Sequence, residues 1–510
     1  MTNNRPLHGT SLAMLTLALG LGTFMQVLDT SIANVSIPSI AGDLAVSPDQ
    51  GTWVITSFAV SNAIALPVTG WAAKRIGEVK LFCMSTLLFT LFSWLCGAAF
   101  NLPMLVLFRV LQGAVAGPMI PLSQSLLLAN YPDEKKGLAL ALWSMTVILA
   151  PIFGPILGGY ITDNYSWPWI FYINIPVGMA SVFIVWSVLR HRETMITKLP
   201  IDTVGLILLT IGIGSLQVLL DKGHDLDWFN SPVIMFLAIT SFVALVFLIV
   251  WEIYDRHPVL NLKLFLGRNF TIGVVATTLG YLAYFVSVVI FPLWLQTNMG
   301  YTASWAGLAA APIGVLAVIM SPFVGRFLHH FDLRLMVTFA FAVFAGVSFW
   351  NSTFDSQVDF VHLIIPRIVM GAGMATFFIP LVTITLSGLK PEVIADASGL
   401  YNFLRILGGS FGTSISINMW SNRSILHHSR LVDAIGNNPA TTSALARLHD
   451  LGIKGNTAIA FINQEVTNQS VMMATNDIFW ISGWLFLILL GLIWFARPPF
   501  TSSGKHVAVD

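Results

Sequence analysis

Phe108-Arg109-Val110-Leu111-Gln112-Gly113-Ala114-Val115-Ala116-Gly117 places an arginine inside a segment otherwise apolar enough to cross a bilayer. An arginine at mid-membrane costs about 3 kcal/mol on insertion scales and on the order of 10 in simulations. It persists there only if something inside the protein pairs with it or uses it. At helical spacing Arg109, Gln112, Gly113, Ala116 and Gly117 share one face. That face is small and polar, so it is expected to look inward, toward a cavity or a packed neighbour, and not toward lipid.

The composition around this stretch agrees. The 510-residue chain is 56% hydrophobic and only 10% charged, against about 25% charged residues in soluble domains. An all-α integral membrane protein is expected. The net charge of +1 argues against a nucleic-acid binder, which would show a clustered basic surface. Cys83 and Cys96 lie in one apolar run at a spacing that does not return to one helical face, so they read as apolar fillers and not as a disulfide or metal pair. His329-His330 and His427-His428 are adjacent pairs, which point apart on a helix, and no metal site is expected. No cleavable signal is expected either, because the first apolar run, from near Ser11, is about as long as a full span.

Runs long enough to span, at roughly 20 residues per crossing, fall near 12–36, 52–72, 81–100, 103–128, 138–160, 168–189, 203–220, 232–251, 270–291, 305–323, 334–350, 360–386, 396–420 and 475–496. That predicts 14 transmembrane helices. With both termini inside, Lys and Arg concentrate in the inner loops, while the short outer loops hold only Lys222. Arg109, Arg367 and Arg405 remain within predicted spans. An internal repeat is visible. Pro67-Val-Thr-Gly70 matches Pro322-Phe-Val-Gly325 at an offset of 255, and Arg109-Val-Leu-Gln-Gly113-Ala matches Arg367-Ile-Val-Met-Gly371-Ala at an offset of 258. The expected organisation is a six-helix bundle over 1–190, a linker with two additional helices over 191–268, and a second six-helix bundle over 269–510 with a long outer loop at about 421–474. Parallel six-helix repeats with binding at their interface are a transporter plan.

Four stretches carry a family resemblance. They are Leu28-Asp29-Thr-Ser-Ile-Ala-Asn34-Val-Ser-Ile-Pro38, Gly70-Trp-Ala-Ala-Lys74-Arg75-Ile-Gly77-Glu78-Val-Lys80, Arg109 through Gly117, and Ala150-Pro-Ile-Phe-Gly154-Pro155-Ile-Leu-Gly158-Gly159. Across the whole chain they resemble the major facilitator superfamily, and within it the fourteen-helix drug:proton antiporters of EmrB type. The resemblance implies the inner-loop motif at Gly70, Arg75 and Gly77, and a fifth-helix antiporter motif at Gly154, Pro155, Gly158 and Gly159. The superfamily loop usually carries an Asp where this chain has Lys74, so the charge-relay role of that Asp does not carry over.

Asp29 is the only carboxylate expected clearly inside a span, on a face with Gly22, Gln26, Ala33 and Ser36. Asp29 and Arg109 both sit roughly 10 Å below the outer surface, so they can pair directly or through water. They are either a proton-exchanging pair or a structural ion pair that satisfies two costly charges. The resemblance implies that Asp29 exchanges a proton and that Arg109 and Gln112 tune and relay it. Gln26, Asn34, Arg367 and Arg405 are candidates for a substrate cavity, although no acid stands out as the partner of Arg367. Glu252, Asp396 and Asp477 fall at span ends, where solvated or capping roles are expected.

The expected function is proton-coupled export of hydrophobic drugs and toxic small molecules across a bacterial inner membrane, with no cofactor. The resemblance alone implies an EmrA-like periplasmic adaptor and a TolC-like outer-membrane channel. A proton-coupled solute symporter, a fatty-acid exporter and an integral-membrane enzyme are the alternatives. The fifth-helix motif argues against the symporter, and the lack of clustered acids or histidines at one face argues against the enzyme.

Overall fold

The computed structural model describes residues 7–132, 136–194, 196, 200, 202–223, 225–255, 258–327, 331–389, 393–436, 439–451 and 455–500. The His329-His330 pair lies outside them. The long helical elements are α1 (Gly9–Asp43), α2 (Trp53–Ala65, continued after a break by Thr69–Ile76), α3 (Glu78–Gly97), α4 (Leu102–Ala116, continued by Met119–Asn130) and α5 (Lys136–Asn164). They continue with α6 (Asn174–Leu189), α7 (Thr203–Lys222), α8 (Pro232–Tyr254), α9 (Arg268–Thr297) and α10 (Ala303–Ala310, continued by Ile313–Phe327). The last are α11 (Leu333–Asn351), α12 (Phe360–Leu386), α13 (Ile394–Gly436) and α14 (Asn456–Leu492).

Helix starts follow side chains that accept from otherwise orphaned backbone N–H groups. Asn101 caps α4, Asp202 caps α7, Thr302 caps α10, Asp332 caps α11 and Asp359 caps α12. Each such cap is worth about 1 kcal/mol. Pro67 lies in the break of α2, where the two helical pieces meet at 60°. Among the described residues, 11 helices are long and apolar enough to cross a membrane, or 12 if the bent α2 is one span. That tally leaves out α5 and α13, some of whose side chains fall outside the described residues.

The helix pairings repeat with a shift of eight elements. α1 packs on α5 and α6, and α9 packs on α13 and α14. α2 packs on α4, as α10 does on α12, and α3 packs on α4 and α6, as α11 does on α12 and α14. The two sets meet where α5 lies against α10 and α2 against α13, again a pair related by the same shift. α7 and α8 pack on each other, and α7 also touches α2 and α13.

Atomic contacts keep the offsets read from the sequence. A Cβ on Gly113 would clash with the Phe58 carbonyl oxygen and lie 3.1 Å from the Asn62 nitrogen. A Cβ on Gly371 would clash with the Ile313 carbonyl oxygen and lie 3.0 Å from the Ala317 nitrogen. Close approach of two helix backbones is therefore what both glycines permit.

Two expectations need revision. The stretch 421–474 is largely helical, because α13 runs on to Gly436, a short helix spans Pro439–Asp450 and α14 starts at Asn456. Glu252 is not solvated. It is 2% exposed, and its carboxylate accepts a 3.1 Å hydrogen bond from the Leu260 backbone. The chain turning back after α8 supplies the donor that a carboxylate needs once it leaves water. Asp477 lies within α14, half-buried, 2.9 Å from His427 Nε2 and 3.4 Å from Arg423.

Gly113→Leu should separate α4 from α2 and lower the melting temperature of the detergent-solubilised protein by many degrees. Gly70→Ala, with nothing within 4 Å of its added carbon, should melt like the parent. Equal melting of both variants would contradict the backbone contact.

Candidate functional site

Asp29 and Arg109 form one buried ion pair. Arg109 Nη1 donates to Asp29 Oδ2 at 2.5 Å, and the residues are 1% and 0% exposed for Arg109 and Asp29 respectively. Two more partners and an aromatic ring hold the guanidinium. Nε donates to the Val54 carbonyl of α2 at 2.9 Å, Nη1 also reaches Gln112 Oε1 at 2.8 Å, and the cation stands 4.2 Å from the Phe58 ring centroid.

The carboxylate also receives donors from one further helix and from a second residue of α4. Asn174 of α6 donates to Asp29 Oδ1 at 2.9 Å and to Ser93 Oγ of α3 at 2.9 Å, and Gln112 Nε2 approaches Oδ1 at 3.4 Å. Ser93 Oγ in turn donates to the Phe171 carbonyl at 2.8 Å. Buried charges persist only when paired and hydrogen-bonded, because desolvation costs several kcal/mol per ion. Here α2, α4 and α6 all contribute to that satisfaction. Both cysteines are buried free thiols, and the Cys96 thiol lies 3.6 Å from Gln112 Oε1. Asn174 and Ser93 carry no charge and no motif, so the sequence reading missed them.

The glycines of α5 connect this pair to the other half. Gly154 and Gly158 face α1 at Ser31 and Ile32, and Gly159 faces the Ala303 carbonyl of α10. Gly307 of α10 sits against the Pro155 carbonyl. Ser31 Oγ donates to the Ala150 carbonyl at 3.3 Å. One helix thus presses its small residues on the turn of α1 just beyond Asp29 and on α10 at once. Asp163 completes the contact by accepting from the Ala303 and Ser304 backbone nitrogens at 3.2 and 2.7 Å. That carboxylate lies at the N-terminus of α10, where it meets the positive end of the helix dipole.

The inner-loop motif is anchored in an unexpected way. Gly77 has φ +98°, a conformation that favours glycine, and the Glu193 side chain occupies the space a Cβ would need. Glu193 accepts from the Val79 and Lys80 backbone nitrogens at 3.0 Å each, so it caps α3 from the segment after α6. An acid is present at this turn although Lys74 stands where the family has Asp. Arg75 lies 5.5 Å from the Trp71 ring centroid, and Gly70 faces open space.

The remaining candidates are dispersed. Gln26 and Asn34 are buried on α1, and each keeps a side-chain carbonyl oxygen without a partner. Arg405 stands 5.1 Å from the Tyr281 ring centroid and 5.6 Å from that of Phe378, with its Nε unpaired. Arg367 is 3% exposed and has no carboxylate at ion-pairing distance among the described residues. It donates to Ser287 Oγ at 2.8 Å and lies 3.6 Å from the Phe291 ring centroid. A desolvated cation–π contact returns about 2 kcal/mol, less than the cost of burying the charge.

A further carboxylate, Asp221 at the end of α7, accepts from Thr56 of α2 at 2.9 Å, from Gln217 at 2.8 Å and from Ser414 of α13. It was overlooked because it sits at a predicted span end, where sequence alone suggests water.

Arg109→Met should destabilise the protein by about 3–5 kcal/mol, the usual cost of breaking a buried pair from one side. Asp29→Asn combined with Arg109→Met should recover part of the lost melting temperature. A double variant that melts as low as the sum of its parts would mean that the two charges are not coupled.

The Major Facilitator Superfamily profile matches residues 19–413. The chain is 54% identical to the Multidrug export protein EmrB of Escherichia coli (strain K12) over 506 residues, covering 99% of each. It is 51% identical to the Fatty acid resistance protein FarB of Neisseria gonorrhoeae over 500 residues, covering 98% of this chain and 99% of that protein. Its fold is shared with the crystal structure of a D-xylose-proton symporter, at a TM-score of 0.62 and 14% identity, covering 97% of this chain and 100% of that one. The chain belongs to the Major Facilitator Superfamily, and within it is an EmrB-type multidrug exporter, a membrane transporter and not an enzyme.

Proposed function

We propose that the exporter is a proton-coupled antiporter that expels hydrophobic drugs and toxic small molecules across the bacterial inner membrane. The observation that carries this reading is the dry Asp29–Arg109 pair, a titratable charge placed on α1 next to the helix surface that α5 grips. A proton arriving at Asp29 Oδ removes the negative charge and leaves Arg109 without its counterion. The α1–α4–α6 network then loses most of its electrostatic hold, and α1 is free to shift against Gly154 and Gly158. Because α5 also bears on α10 through Pro155 and Gly159, a shift of α1 reaches the other half. One proton moving down about 100 mV supplies roughly 2.3 kcal/mol for this cycle.

In this reading 14 helices cross the membrane, with α5 and α13 completing the set and both termini cytoplasmic. Residues 1–190 and 269–510 are two bundles that rock about a central path, and 191–268 carries the inserted pair α7 and α8. Gln112 relays between Asp29 and Arg109, and Gln26, Asn34, Arg367 and Arg405 border the path. The helical extension over 421–474 faces the periplasm, where an adaptor and an outer-membrane channel would take the substrate onward. EmrB-type kinship supports those partners. A second reading, export of fatty acids, is favoured by the 51% identity to FarB.

Asp29→Asn should elute as a folded membrane protein yet lose at least tenfold in dye efflux driven by an imposed pH gradient in inverted vesicles. Undiminished gradient-driven efflux by Asp29→Asn would remove Asp29 from the coupling mechanism.

A further inference from the structure

The C-terminal half holds a copy of the charge site from which the acid has been removed. Shifting by 258 residues maps Asp29 onto Ser287, Ser93 onto Asn351, Arg109 onto Arg367 and Gln112 onto Met370. The geometry follows the mapping. Arg109 Nη1 bonds Asp29 and Gln112, and Arg367 Nη1 bonds Ser287 Oγ at 2.8 Å and approaches Met370 sulfur at 3.8 Å. Each guanidinium also stands over a phenylalanine ring, though from different helices, Phe58 of α2 in one half and Phe291 of α9 in the other.

What the second copy lacks is acceptors. Among the described residues, Arg367 Nε and Nη2 have no hydrogen-bond partner, and the buried amide of Asn351, 1% exposed, has none on either its oxygen or its nitrogen. In the first copy the equivalent Ser93 belongs to the network around the Asp29 carboxylate. The two unpaired groups of Arg367 are informative together. In a guanidinium, Nε–H and one Nη2–H point the same way and form a two-pronged fork matched to the two oxygens of a carboxylate. A neutral ligand would leave the buried cation uncompensated, and a spherical halide would leave the fork poorly filled.

We propose that Arg367, with Ser287 and Asn351, forms a buried site for one carboxylate, the head group of an amphipathic organic acid. The ligand supplies in the C-terminal half what Asp29 supplies permanently in the N-terminal half. Arg367 is 3% exposed, so the site is shut in this conformation and exchanges its anion when the helices around it part. The assignment rests on the reading that Arg367 borders the transport path, and it extends that reading to a substrate chemistry.

The test is a binding measurement that needs no transport. Purified protein in dodecyl maltoside is titrated calorimetrically with laurate and, separately, with sodium chloride. Ser287→Asp installs the missing acid and should weaken laurate binding at least tenfold while keeping or raising the melting temperature. Ser287→Ala leaves the acid position empty but removes one hydroxyl of the site, so it should bind laurate more tightly than Ser287→Asp, and Arg367→Gln should not bind it. The proposal fails if Ser287→Asp and the parent bind laurate alike, or if only chloride binding responds to the substitutions. A failure of gradient-driven efflux in the parent would count against the proposed function and leave this binding result standing.

Discussion

A buried guanidinium has to be neutralised and hydrogen-bonded within a medium that offers no water, and the architecture around Arg109 follows from that requirement. α1 supplies the counter-charge, α2 a backbone carbonyl and α4 the Gln112 oxygen, while α6 orients the carboxylate through Asn174. Each of these groups would itself be costly if left unpaired, so the site constrains four helices at once.

Close backbone contact is the second constraint, and it is met with glycine. Gly113 and Gly371 let α4 and α12 settle on α2 and α10. The α5 glycines do the same at the junction of the halves, where Gly154 and Gly158 take up α1 and Gly159 takes up α10. The charge pair and the inter-half contact therefore share α1 and α5 as their common parts. Helices in lipid gain nothing from hydrophobic exclusion, so such contacts depend on fit and on hydrogen bonds.

The two halves have kept their backbone relation and diverged in chemistry. Offsets of 255 and 258 relate contacts at the level of single backbone atoms. Among the described residues, only one half pairs its arginine with an acid. Ser287 in place of aspartate turns an internal ion pair into a cation held by an aromatic face and one hydroxyl. The repeat is thus preserved where helices touch and altered where charges act.

The linear chain already declared a helical membrane protein, its internal repeat, and the partnership of Asp29 with Arg109. Those features are local or periodic: apolar runs set the helices, and a charge in a span announces its own cost. Other features depended on residues far apart in sequence meeting in space. Asn174, Ser93 and Glu193 are ordinary polar residues until the fold sets them beside Asp29 or the Gly77 turn. Glu252 read as a solvated or capping span end and Asp221 drew no reading at all, yet a backbone donor meets the first and hydroxyl and amide donors from neighbouring helices enclose the second. The lack of an acid opposite Arg367 was visible in sequence. Only the packed structure showed that Ser287 stands in its place with two guanidinium nitrogens left unbonded, because hydrogen-bond satisfaction belongs to the assembled helices and not to any one of them.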